Sequence, residues 1–222
     1  MKIATWNIER PFRNGLKTPK ILNYLHRINA DILVLTETNV FIELGNEYTS
    51  FHSAMPKENY YREGERRVSI FSKYPIIRNI KTFREDTSVC TTVKTPFGEL
   101  AVYGTIIGLT GNKDKNFERD LEQQLLDIET KSLTSNICLI GDLNISFSDI
   151  YYYTKAGRKA LNDSFANLGL KILTEQIRDN MDHIVLTNKF IEKSNAILSF
   201  WNDTENIQER LSDHKGVMVE IF

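Results

Sequence analysis

The stretch Asn136-Ile-Cys-Leu-Ile-Gly-Asp142-Leu-Asn144 decides the fold. It is an apolar run of strand length that ends in a glycine turn carrying a carboxylate and a carboxamide. Buried strands tolerate polar groups badly, so an Asp and an Asn at a strand's C-terminal edge are expected to face a cleft. Side chains alternate along a strand, so Asp142 and Asn144 are expected to point the same way if the extended geometry continues. Asp142 offers a base and acceptor, Asn144 a neutral donor and acceptor, and the pair suits an anionic substrate beside a nucleophile. For this segment alone, an Asx turn closing a strand is the equal alternative.

The ends of other apolar runs favour the cleft. Met1–Asn7 is a short strand ending in Asn7, and the β-rich run from Ala30 ends in Glu37. Asp182 begins the strand that continues as His-Ile-Val-Leu, and Ser212-Asp213-His214 precedes a last strand from Lys215 to Phe222. Five segments thus place Asn7, Glu37, Asp142 with Asn144, Asp182, and Asp213 with His214 at strand edges. A closed sheet sandwich would gather them.

Composition fits a compact catalytic domain. With 222 residues, 41% hydrophobic and 26% charged, the chain can bury one sizeable core, and residues 1–222 are expected to form a single catalytic domain. No run of about twenty apolar residues exists, so no membrane span is expected. No basic and apolar leader precedes strand Ile3–Trp6, so no signal peptide is expected. Cys90 and Cys138 lie in apolar strand contexts and read as reduced core residues; a disulfide stays open, and a cytoplasmic location is the expectation. A net charge of −1 gives no global attraction to polyanions and weakens a reading as a tight scanner of duplex DNA.

Ile21, Leu22, Leu25 and Ile28 recur at helical spacing after Thr18-Pro19, which would supply an N-cap and a first-turn proline. A second amphipathic helix is expected between Asn116 and about Lys131, and a third from Lys155 to Leu168 with Gly169 as its stop. The remaining apolar runs read as strands: Val68–Phe71, Val89–Lys94, Leu100–Ile107, Ile137–Ile140, Ile184–Leu186, Ile197–Trp201 and Val217–Ile221. Hairpin spacing around Thr95-Pro-Phe-Gly98 and helices flanking many short strands imply two packed, largely antiparallel sheets with helices outside. No internal repeat and no linker is evident.

The blocks Thr5-Trp6-Asn7-Ile8, Asp31–Glu37, Val68–Ile76, Gly141-Asp142-Leu-Asn144, Met181-Asp182-His-Ile and Ser212-Asp213-His214 follow one another in the order of a known family. Over nearly its whole length the chain resembles the endonuclease/exonuclease/phosphatase superfamily, which includes pancreatic deoxyribonuclease and abasic-site endonucleases. The resemblance implies a four-layered α/β sandwich with its active site at one end of the sheets, and hydrolysis of phosphoesters. Phosphodiesters repel nucleophiles by their charge, so an enzyme must neutralise it, activate a water and stabilise the leaving oxygen. Glu37 is the expected ligand of Mg²⁺, with Mn²⁺ an alternative, because a hard carboxylate suits such an ion. By resemblance, Asp213 lies near the same ion and Asn7 helps to place metal or phosphate. Asp142 is the expected base for the attacking water, and Asn144 is expected to hold a phosphate oxygen. His214 as imidazolium donates to charge on the phosphoryl oxygens, and Asp182 orients or supports a catalytic imidazole.

One position departs from the family. The strand Gly98–Ile107 resembles one that in many relatives ends in Thr-His; in the abasic-site endonucleases a tyrosine fills that role. Here the position is Ile106, which leaves Asp182 without its usual imidazole partner unless His183 or another loop supplies one. Tyr103 should face the opposite side of the strand from Ile106, and His183 should face away from Asp182 as a packed or surface residue. At the rim, Arg62, Arg66 and Arg67 beside Tyr60 and Tyr61 interleave basic and aromatic residues, as single-stranded nucleic-acid sites do, with an ordinary solvated loop as the alternative. Tyr151-Tyr152-Tyr153 is expected to pack in the core or stack on a base or sugar. The leading reading is a Mg²⁺-dependent nuclease with a nucleic acid as substrate. The others are a phosphatase or phosphodiesterase of a small molecule or phosphoinositide, and a catalytically weakened binding protein.

Overall fold

The computed structural model describes every residue except Asp114, Glu205, Ile207 and Gln208. Two six-stranded sheets face one another. One has the order β11 (Ala196–Trp201), β12 (Gly216–Ile221), β1 (Lys2–Asn7), β2 (Ile32–Asn39), β4 (Glu65–Ser72) and β3 (Thr49–His52). The other has the order β5 (Ile76–Ile80), β6 (Ser88–Thr95), β7 (Gly98–Ile106), β8 (Ile137–Asp142), β10 (Asp182–Thr187) and β9 (Leu170–Ile172). Each sheet contains one parallel pair, β1 with β2 and β7 with β8, and its other pairs are antiparallel. Helix α1 (Thr18–Ile28) crosses over the first parallel pair and α2 (Lys115–Ser132) the second. Both sheets therefore share one strand plan, an internal two-fold likeness that leaves no repeat in the sequence.

Alternation along the strands builds the layers. On β8, Cys138 and Ile140 enter the core between the sheets, while Ile137 and Leu139 pack against α2 and α3 (Lys155–Asn167). On β2, Ile32 and Val34 face the other sheet, and Leu33 and Leu35 lie under α1. The result is the expected four-layered α/β sandwich. Cys90 and Cys138 are buried and unpaired. No helix among the described residues is long and apolar enough to cross a membrane.

Several local expectations shift. Helix α1 is capped by Lys17 without a side-chain bond, and Thr18, already inside the helix, donates from Oγ1 to the Phe12 carbonyl at 2.5 Å. Thr154 caps α3 by accepting from the Gly157 amide at 3.0 Å, and Gly169 follows the helix at φ +63°. Strands β3, β5 and β9 are not legible in the sequence. All three lie at or next to sheet edges, where partial exposure erases the continuous apolar run.

Candidate active site

By strand parity, Asn7, Asp142 and Asp182 belong to the faces that form the core between the sheets, four residues beyond Ile3 on β1, two beyond Ile140 on β8 and two before Ile184 on β10. They stand where the apolar filling ends, at one end of the sandwich. Asp142 and Asp182 are register partners on adjacent strands. The chain approaches Asp142 through Gly141 at φ +134°, where a Cβ would lie 2.1 Å from the Thr105 carbonyl oxygen, so only glycine fits.

Glu37 does not follow parity. Alternation would send it under α1 with Leu33 and Leu35, but its backbone is left-handed, at φ +47°. Its carbonyl accepts from the Arg10 amide at 2.7 Å, and its side chain reaches Asn7, whose Nδ2 donates to Oε1 at 3.1 Å. The same Nδ2 donates to Oδ2 of Asp142 at 3.2 Å, so one carboxamide ties the two sheets' acidic groups together. A non-glycine residue in this region costs of order 1–3 kcal/mol and persists only where its surroundings enforce it. Glu9, Arg10 and Asn144 share the same strained region.

His214 completes the group. Its Nδ1 donates to Oδ2 of Asp182 at 2.6 Å, while Nε2 lies 3.9 Å from both Asp142 and Asp213. Of the two replacements that the sequence left open for the usual imidazole partner of Asp182, His183 or another loop, the second is found: the loop Ser212–Lys215 brings His214 to it from the other sheet. That loop is clamped. Ser212 donates from Oγ to the Asn7 carbonyl at 2.6 Å and accepts from the His214 amide at 3.1 Å. The Trp6 indole and the Asn202 amide donate to the His214 carbonyl. Strand parity hides these clamps, because Trp6 itself packs under α1.

A second correction concerns Asn144. The extended geometry stops at Asp142, and Asn144 turns back at φ +52°. Its side-chain amide donates to the carbonyls of Ile107 at 2.7 Å and Gly108 at 3.4 Å, and its backbone N–H donates to Oδ1 of Asp142 at 2.9 Å. Asn144 therefore braces Asp142 rather than standing beside it as a parallel group. Ile106 is buried opposite Asp142 on the neighbouring strand, and Tyr103 faces the helical side, as expected. His183 is fully buried and turned away from Asp182: its Nε2 meets the Ile145 carbonyl at 2.9 Å and its Nδ1 meets Thr174 Oγ1 at 3.0 Å.

Electrostatics reflect this crowding. Burial pushes the Asp142 carboxyl well above the carboxylate range, against the pull of His214. Burial alone would lower His214, but Asp182 and Asp142 outweigh it and raise the imidazole. Burial also raises Glu37, with the Asn7 hydrogen bond opposing it and Asp213 adding to it. Glu37, Asp142, Asp182 and Asp213 thus stand around a single imidazole, an oxygen-rich, acidic set that suits a hard divalent cation. Ligand atoms of Asp142, Asp182 and His214 lie within 4.8 Å of one another. In that trio, however, His214 Nδ1 and Asp182 Oδ2 already satisfy each other. Half-buried Glu37 and exposed Asp213 are the more open donors, and the residues fit the ion.

The rim differs from expectation. Arg67 is not a rim residue: it is 1% exposed, pairs with Glu58 at 2.5 Å and with Asp86, and stacks over Tyr61. Arg10, which the sequence did not single out, pairs with buried Glu65 at 2.6 Å and lies 4.4 Å over the Tyr61 ring. Tyr151 is exposed, whereas Tyr152 and Tyr153 are half-buried, with Arg158 3.8 Å over the Tyr153 ring.

The family model for the endonuclease/exonuclease/phosphatase family matches residues 4–214. The chain belongs to this family. Family members hydrolyse phosphodiester bonds and depend on divalent metals. Among solved structures, the chain is similar to a 3′ phosphatase from Neisseria bound to a product DNA hairpin. The TM-score is 0.75 at 16% identity, over 100% of this chain and 99% of that one. It is also similar to the endonuclease domain of a telomere-specific non-LTR retrotransposon, with a TM-score of 0.72 at 18% identity over 98% and 96% of the two chains. An AP endonuclease from Archaeoglobus fulgidus gives a TM-score of 0.69 at 16% identity over 99% and 98%. At these identities the likeness carries the fold alone. A comparison with curated proteins finds no match.

Proposed function

We propose that this member of the endonuclease/exonuclease/phosphatase family is a single-domain, cytoplasmic, Mg²⁺-dependent nuclease acting on DNA or RNA. The observation that carries the reading is the line Asp182–His214–Asp142, with Asn7 bridging Asp142 to Glu37. In this reading Glu37 and Asp213 hold the ion, with Mn²⁺ able to replace Mg²⁺. Bound there, a divalent ion neutralises phosphate charge and lowers the pKa of a water. Asn7 holds the Glu37 and Asp142 carboxylates at a fixed spacing. Asp142 takes the proton of the attacking water, and its burial brings its basicity nearer to neutrality, where a general base works best. Its Oδ1 accepts from the Asn144 backbone N–H, which fixes the carboxylate. His214 presents Nε2 to the phosphoryl oxygens and donates to the charge that builds there. Asp182 fixes the ring and favours the imidazolium. Ile106 takes no part in proton transfer.

A nucleic acid is favoured as substrate because the relatives include a phosphatase bound to a DNA hairpin and two endonucleases. The buried, unpaired thiols suit a reducing compartment. The test is hydrolysis of single-stranded DNA, duplex DNA, RNA and phosphorylated small molecules with Mg²⁺ and with Mn²⁺. Turnover of the polymers is expected. Turnover of small molecules alone, or of nothing, overturns the reading.

A further inference from the structure

Beside the acidic group lies a cleft of about 620 Å³ whose wall includes Asn39, two residues beyond Glu37 on β2. Its charge balance is the reverse of its neighbour's. Three guanidiniums, Arg13, Arg62 and Arg66, outnumber the single carboxylate, Glu63, in its lining and stand beside Phe12, Phe41 and Met55. Arg62 lies 3.6 Å over one face of Phe12, and the residue is nevertheless 64% exposed, so the other face of its ring is open to a ligand. Arg13 lies 5.6 Å over Phe41. Arg13 and Arg66 have no carboxylate partner among the described residues, and Nη1 of Arg62 is buried without a hydrogen-bond partner. Arg62 itself is fixed by Glu65 at 2.5 Å and by the Arg10 carbonyl at 2.9 Å, so the wall is set in place before anything binds.

An open aromatic face with two guanidiniums free of carboxylate partners in the same cleft matches a nucleotide, whose base stacks and whose phosphate takes bidentate donors. The volume is that of a small-ligand pocket rather than a track for a duplex, whose stacked bases offer no free face. A net charge of −1 also gives no global attraction to a duplex polyanion. We infer that this cleft holds an unpaired base and its phosphate from a single-stranded nucleic acid, with Phe12 as the stacking platform and Arg13 and Arg66 as phosphate donors. This inference rests on the nuclease reading and names its substrate form.

The experiment measures binding of a labelled single strand of about eight nucleotides, and of its duplex, by fluorescence anisotropy with Mg²⁺. The Asp142→Asn background keeps the strand intact, and thermal unfolding checks that each variant is folded. Phe12→Ala should weaken single-strand binding by about tenfold, the size of one lost stack, and duplex binding much less. Arg13→Gln with Arg66→Gln should weaken it further and flatten its salt dependence. Unchanged single-strand binding in both variants, or equal losses on strand and duplex, overturns the cleft. Turnover of bis(p-nitrophenyl) phosphate by the parent chain tests the hydrolase reading separately. Its absence, with Phe12-dependent binding retained, would remove the nuclease and leave the cleft.

Discussion

Nδ1 of His214 and Oδ2 of Asp182 meet at 2.6 Å across the gap between the sheets. Asp182 starts β10 in one sheet, and His214 sits in the loop before β12 in the other. Only the packing of one sheet on the other brings them together, so the pair exists only when the fold does. It also leaves Nε2 as the free ring nitrogen, facing the cleft between Asp142 and Asp213.

Asp182→Asn should therefore act through His214. The substitution keeps the shape and removes the charge that favours the imidazolium. We expect kcat to fall by about 10²–10⁴, the usual worth of one acid–base group. His214→Gln should cost a similar factor, and the double variant little more than either single one, because groups that act as a unit are not additive. A double variant whose loss equals the product of the two single losses would show that the residues act independently.

Sequence made the architecture legible because apolar alternation and strand-end polarity are local signals. The four layers, three helices and most central strands follow from them. Three features were hidden, each for a physical reason. Glu37 reaches Asn7 only through a left-handed backbone, which its residue type does not announce. Asn144 folds back after Asp142, so parity fails at the one place where the chain leaves the sheet. The partner of Asp182 comes from the opposite sheet, and no periodicity within a strand encodes contacts between sheets. The rim arginines divide in a way that a basic run does not show: Arg62 and Arg66 line a cleft, whereas Arg67 is spent on Glu58 and Asp86.

Glu37→Gln tests the ion. The variant keeps the Asn7 contact in outline but removes the charge that attracts a hard cation. Isothermal titration calorimetry should show severely weakened Mg²⁺ binding, and turnover should collapse with it. Parent-like Mg²⁺ affinity would reassign the ligand.

Asp142→Asn tests the water. Substrate binding should persist while kcat drops by about 10²–10⁴. A KM near the parent's together with that loss is the signature of a group acting in the transition state. Unimpaired turnover would mean that another group activates the nucleophile.

Ile106→His tests whether the departure from the family is a gap. His214 already takes Oδ2 of Asp182 and leaves only its buried Oδ1 without a partner, so a second imidazole here must compete with His214 for that carboxylate while it replaces a side chain packed in the core between the sheets. Leaving a buried polar group unsatisfied costs about 1–3 kcal/mol. We expect a lower Tm and no gain in kcat, whether or not the substrate has an activated aryl leaving group. Faster turnover confined to poor leaving groups would show that the position still serves leaving-group protonation.

The last prediction concerns pH and His183. The ring is fully buried, and burial lowers its pKa from 6.5 to about 4, although the Ile145 carbonyl pulls the other way. The neutral ring suits both of its contacts, with Nε2–H donating to Ile145 and Nδ1 accepting from Thr174. The unfolded chain takes up this proton first as pH falls, so unfolding is favoured by acid between about pH 6.5 and pH 4. The stability contribution is whole above the unfolded value and is lost as pH drops through that window. With 1.36 kcal/mol per unit, the parent should lose about 2 kcal/mol between pH 7 and pH 5 from this residue. His183→Gln has no such proton, so its urea-unfolding free energy should change less over the same interval by that amount. Because every other titrating group is common to both chains, the difference isolates His183. Parallel curves for the two proteins would show that the folded ring titrates near its ordinary value, and that its burial does not hold it neutral.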